Sequence, residues 1–167
     1  MRSANRNPFL NQRFEMITLE ELIDTVQMLD ASSNTKRVVN SDTQVGLYIE
    51  LKDYDTYLSE KGWDLAQMLF DTLEKHGLST VADCKDKLPI IVQSFDPEGL
   101  KKFATLSDLP LVQLIHATGT KYDYDDIATY AHGVGPDSKL MMDNDYVENM
   151  HASNIAVHPW TIKDDDL

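Results

Sequence analysis

From Val45 to Lys52 the chain runs V-G-L-Y-I-E-L-K, and its side chains alternate in character. Val45, Leu47, Ile49 and Leu51 fall on one side of a strand; Gly46, Tyr48, Glu50 and Lys52 fall on the other. The first side is uniformly apolar, while the second ends in an acid and a base. That is not the pattern of an ordinary sandwich strand. In a parallel barrel the apolar side packs on surrounding helices, and the other side lines the interior and reaches the catalytic mouth. In that setting Glu50 is a candidate metal ligand and Lys52 a charge beside it.

The rest of the chain bears on whether that setting exists. Residues 88–95 (L-P-I-I-V-Q-S-F) and 109–116 (L-P-L-V-Q-L-I-H) are near-continuous apolar runs, as expected of strands covered on both faces. Shorter strands are expected at 132–135 and 154–158. Between them lie helical patterns. Thr18 as N-cap with Glu21 three residues on is a capping box, and Ile17 can staple onto Leu22. Leu19, Leu22, Ile23, Val26 and Leu29 then form one apolar stripe. A loop over 53–59 precedes a second helix, roughly 60–76, with Gly77 placed as its C-terminal cap glycine. Asp96-Pro97 starts a third helix, with Asp as N-cap and Pro in the first turn. Further helices are expected near 124–131 and 143–152, an irregular lead-in over 1–16 and a loop over 31–43. Strands alternating with amphipathic helices specify an α/β protein with a parallel sheet, here one domain over 1–167.

A closed eight-stranded barrel and an open doubly wound sheet both fit that alternation. The dinucleotide-binding version of the latter needs G-x-G-x-x-G after a strand. The nearest approach, Gly133-Val134-Gly135-Pro136, puts a proline where a phosphate cradle needs a backbone donor. Glu50, Gln93, Gln113 and His158 each fall at or near the C-terminal end of a different strand, where barrel enzymes keep their chemistry. The barrel is the better fit.

Composition narrows the partners. A net charge of −13 disfavours nucleic acid, whose phosphates need a positive footprint, and most acidic surfaces are only solubilising. No apolar run approaches the roughly 20 residues of a membrane-spanning helix. The opening M-R-S-A-N-R-N-P-F-L has basic residues with no apolar stretch after them, so no signal peptide is expected within the chain. Cys84 is the single cysteine, which excludes an intramolecular disulfide.

Five stretches together resemble the glycerophosphodiester phosphodiesterase family, especially its periplasmic bacterial branch and eukaryotic relatives. They are G-L-Y-I-E-L-K (46–52), V-Q-S-F-D-P-E-G-L-K (92–101), L-P-L-V-Q-L-I (109–115), Y-A-H-G-V-G-P-D (130–137) and V-H-P-W-T-I (157–162). The approach F-E-M-I-T-L-E-E-L (14–22) is similar to the family's helix start before its third strand. The resemblance implies a TIM barrel that hydrolyses glycerophosphodiesters to an alcohol and glycerol 3-phosphate, in lipid and glycerol metabolism. It implies a divalent cation, usually calcium or magnesium, and full-length relatives that are often periplasmic or secreted.

Residue by residue, Glu50 matches a metal-ligand carboxylate and Lys52 the catalytic-site lysine two positions on. Gln93 and Phe95 match substrate-pocket residues, and Trp160 an aromatic at the pocket rim. The family's His-Arg-Gly and Glu-x-Asp motifs, its acid/base histidines and its closing Gly-x-Asp-Gly-x-x-Thr-Asp-x-Pro stretch are not in this chain. The expectation is an incomplete barrel covering about strands 3 to 7, inactive by itself.

Each candidate also has a plainer reading. Gln93 and Gln113 could serve structural hydrogen-bond networks, since a buried amide is costly without partners. His76 suits the last turn of a helix, and His151 is expected to be exposed near a helix end. His116 and His158 end strands, but neither matches the family's acid/base pair. Asp164, Asp165 and Asp166 read as an acidic tail. The alternatives to the diesterase are a non-catalytic barrel-derived binding module and another phosphate-ester hydrolase on the same fold.

Overall fold

The structure, a computed structural model, describes residues 15–31, 45–85, 87–118, 122–142 and 145–162, with the side chains of 29–31 and 142 left out. Most of the lead-in over 1–16, the loop over 31–43 and the tail Asp164, Asp165 and Asp166 therefore lie outside the described residues. The chain divides into two compact units between residues 41 and 42.

The first unit holds helix α1, Leu19–Ala31. Its start is the expected capping box. The Glu21 amide donates to Thr18 Oγ1 at 3.2 Å, and the Thr18 amide donates to Glu21 Oε2 at 2.7 Å. Ile23 and Val26 are the buried residues of its apolar stripe.

The second unit is a parallel sheet of five strands in sequential order: β1 Leu47–Glu50, β2 Ile90–Ser94, β3 Leu111–Ile115, β4 Gly133–Pro136 and β5 Ala156–Val157. Sequential order is informative. Right-handed crossovers that always step in one direction place every helix on one face of the sheet, whereas a doubly wound sheet reverses direction and covers both. The helices are α2 Tyr54–Lys61, α3 Leu65–Lys75, α4 Val81–Cys84, α5 Pro97–Ala104, α6 Tyr124–Ile127 and α7 Tyr146–Ala152, with a 3₁₀ turn over Ser138–Met142. The face opposite these helices is concave. Ring centroids of Tyr48, on β1, and His158, just past β5, lie 6.0 Å apart. A flat sheet would separate those strands by four steps of roughly 4.8 Å, about 19 Å. The sheet is curled and not closed, as expected of an incomplete TIM barrel.

Several local devices fix this arrangement. Pro89 and Pro110 immediately precede β2 and β3, and each carbonyl accepts an amide of the neighbouring strand, Leu47 N at 2.8 Å and Val92 N at 3.0 Å. Gly77 takes φ +62 after α3; its amide reaches the Glu74 carbonyl, and that of Leu78 reaches the Leu73 carbonyl, both at 2.9 Å. Leu73 and Leu78, joined by that backbone bond, are both wholly buried.

The expected loop over 53–59 is instead helix α2, and the single helix expected over 60–76 is broken at Gly62. The reason is tertiary. Tyr54 is buried, and its ring lies so close to Gly99 of α5 that an added Cβ would sit 2.9 Å from Tyr54 Cγ. Packing on α5 makes a helix from a stretch whose polar residues suggest a turn.

The Gly133–Pro136 stretch is a strand whose glycines are steric. A Cβ at Gly135 would meet Leu114 Cδ2 at 2.7 Å, so the missing side chain leaves room for Leu114.

Candidate active site

Strand register decides which side chains share the concave face. Glu50 is level with Gln93, Gln93 with Val112, Val112 with Gly133 and Gly133 with Ala156. Partners level with one another in a parallel pair point the same way, and every second residue joins them. Tyr48, Glu50 and Lys52, then Gln93 and Phe95, then His116, then His158 and Trp160 therefore line one side. Their last members gather at the C-terminal ends of the strands.

The contacts agree. The Tyr48 hydroxyl lies 3.2 Å from His158 Nδ1, across the mouth from the first strand to the last. Phe95 and His116 stack with centroids 4.0 Å apart and planes 8° apart. Trp160 stands perpendicular to both, 5.5 Å from Phe95 and 5.9 Å from His116. Its indole N–H donates to the Gly135 carbonyl at 2.7 Å, which fixes the ring plane. Phe95 and Trp160 are thus brought together, with His116 as a third member. The family motifs did not mark His116; its position at the end of an apolar run was the one signal for it.

Glu50, Lys52 and Gln93 differ from most polar residues of the sheet. None of these three side chains has a hydrogen bond or ion pair with another described residue, and Glu50 and Lys52 are exposed. Gln113 is the contrast. It is level with Ser94, not Gln93, so it points to the helix side, where it is wholly buried and fully hydrogen-bonded. Of the two glutamines, only Gln93 is available to a ligand.

A divalent cation of the hard type takes several oxygen ligands. Among the described residues no three His, Cys, Asp or Glu side chains come together as a cation site. Glu50 fits as one carboxylate ligand, and the described residues do not complete the set.

The remaining histidines are structural or peripheral. His76 Nδ1 donates to the Thr72 carbonyl at 2.8 Å in the last turn of α3. His132 Nδ1 accepts from the Leu111 amide at 3.3 Å. His151 is exposed in the last turn of α7. A groove of about 700 Å³ near Ser107, His132 and Asn154 opens at the N-terminal ends of the strands, away from the mouth.

Partial burial of the ring, in a residue that is 44% exposed, pushes the Tyr48 phenol up from 10.0 to about 12. The sign follows from linkage. The unfolded phenol ionises near pH 10 while the folded one stays protonated, so this contribution to stability is full below pH 10 and is lost as pH rises toward 12. The denaturation midpoint is expected to fall between pH 9.5 and 11.5 by less in Tyr48→Phe than in the wild type. Equal falls in the two proteins would contradict this.

Comparison with known proteins puts these residues in context. The profile of the Glycerophosphoryl diester phosphodiesterase family matches residues 1–167. The chain is 27% identical to a glycerophosphodiester phosphodiesterase of Haemophilus influenzae, covering 98% of this chain and 52% of that protein. It is 34% identical to one of Bacillus subtilis over 71% of this chain and 39% of that protein. It is 28% identical to one of Arabidopsis thaliana over 98% of this chain and 50% of that protein. The chain thus spans about half, or less, of the length of these curated relatives. Among the described residues no helix is long and apolar enough to cross a membrane.

Proposed function

Because the chain belongs to the glycerophosphoryl diester phosphodiesterase family, we propose that its mouth is part of a site that hydrolyses glycerophosphodiesters to an alcohol and glycerol 3-phosphate. The observation that carries the proposal is the pair Glu50 and Gln93. They are level on adjacent strand ends, on the concave side, and neither side chain is engaged by another described residue.

Family members are generally metal-dependent. Glu50 is proposed as one ligand of a calcium or magnesium ion, which when bound draws charge from a phosphoryl oxygen. Lys52, on the same side of β1 and two residues on, offsets negative charge on the phosphodiester. Gln93 donates its amide to a phosphate or glycerol oxygen. Phe95 and Trp160 form an apolar wall for the carbon skeleton. In the overall reaction water adds to phosphorus, the bond to the alcohol oxygen breaks, and the alcohol leaves with a proton. None of the described histidines is assigned that proton transfer.

The 167-residue chain by itself is expected to turn nothing over. In isolation it is proposed to be a non-catalytic module, since β1 and β5 each have a partner on one side only within the sheet. The test is release of glycerol 3-phosphate from glycerophosphocholine with calcium or magnesium. A complete barrel protein that carries this segment is expected to release it, and a chelator to stop it, while the isolated chain releases none. No hydrolysis of any glycerophosphodiester by the complete protein would overturn the assignment, and hydrolysis by the isolated chain would overturn the inactivity.

A further inference from the structure

The polar side chains of the mouth face the concave side. Behind them, at the same level but on the helix side, lies a second polar layer of a different kind. Ser94 and Gln113 are both wholly buried there. Ser94 Oγ donates to the Leu51 carbonyl at 2.6 Å and accepts from the Asp96 amide at 3.0 Å. The Gln113 amide nitrogen faces the carbonyls of Ser94, Phe95 and Leu114 at 3.2, 3.0 and 3.0 Å. Its oxygen accepts from the Tyr130 hydroxyl at 2.9 Å.

Two features separate this layer from ordinary core. Other wholly or nearly wholly buried positions on the helix side of the strands, Val92, Leu111, Ile115 and Val134, are apolar. Polarity appears only level with the mouth. The carbonyls it serves also include Leu51 and Phe95, which lie one residue past the ends of β1 and β2, where regular strand pairing has stopped. Leu51 sits between Glu50 and Lys52, and Phe95 is itself a mouth residue. An amide placed in an apolar layer is costly unless its bonds are made, and here they are all made.

We propose that Gln113, braced by Tyr130, is a positioning residue for the mouth: it holds the end of β2 so that Phe95 stays stacked on His116 and beside Trp160. The kinetic consequence rests on the diesterase reading; the structural consequence does not.

The test uses Trp160 as an optical probe in a Trp63→Phe background, leaving one indole. Gln113→Met keeps the volume and removes the amide. It is expected to lower the near-UV circular dichroism of Trp160 at least twofold while the far-UV spectrum is unchanged. Tyr130→Phe, which keeps the donors and removes the brace, is expected to give a smaller change in the same direction. Ile115→Val, a neighbouring core truncation, is expected to give none. An unchanged Trp160 signal in Gln113→Met would overturn the proposal, as would an equal change in Ile115→Val. Should Gln113→Met not fold, Tyr130→Phe decides, and an unchanged signal there overturns it. In the complete protein Gln113→Met is expected to raise KM for glycerophosphocholine several-fold more than it lowers kcat. Absence of turnover in the wild type would sink the diesterase reading and leave the optical result to judge this one.

Discussion

Glu50→Gln in the complete protein is expected to lower kcat/KM for glycerophosphocholine about a hundredfold or more, roughly 2.7 kcal/mol of transition-state stabilisation. The substitution keeps size and hydrogen-bonding shape and removes the charge. The Glu50 side chain is exposed and makes no bond to another described residue, so the fold has little stake in its charge. A change at such a position shifts stability by about 0.5 kcal/mol or less. Activity and stability are therefore expected to separate cleanly. Glycerol 3-phosphate release gives the first, and the urea midpoint the second. Activity surviving within a few-fold would remove Glu50 from the site.

Phe103→Ala is expected to cost about 3–5 kcal/mol, measured by urea denaturation. Phe103 is wholly buried on α5, a helix that packs on β2, β3, α2 and α3. Leu100 and Gly99 of the same helix are buried as well, the latter under the Tyr54 ring. Four elements close on this one helix, so little freedom remains for the hole to collapse. Against a typical domain stability of about 5–15 kcal/mol, such a loss takes up a large share. A loss under about 1 kcal/mol would mean that α5 is not the centre of the helix layer.

The alternation over Val45 to Lys52 placed Tyr48, Glu50 and Lys52 on one side because β1, as an outer strand of the sheet, is polar on its concave face. The capping box at Thr18 and the turn at Gly77 were legible because each is a local exchange of hydrogen bonds that a few neighbouring residues fully specify. The direction of Gln113 was not legible. All five residues of β3 are buried, so hydrophobicity does not mark which side faces the helices. Only its register with Ser94 settles that. Helix α2 was missed because the contact that sustains it, Tyr54 on Gly99, joins residues far apart in the chain. The contact of Tyr48 with His158 depends on sheet curvature, which no local pattern encodes.

That curvature turns a row of strand ends into a mouth into which Glu50 looks. Nuclear Overhauser contacts between aromatic rings in the folded 167-residue chain measure it directly. Phe95 and His116 end neighbouring strands and are expected to show cross-peaks in a curled or a flat sheet alike. Tyr48 and His158, from opposite edges, meet only if the sheet is curled. Cross-peaks for both pairs are the expected result; the first without the second would show a flat sheet and contradict the account.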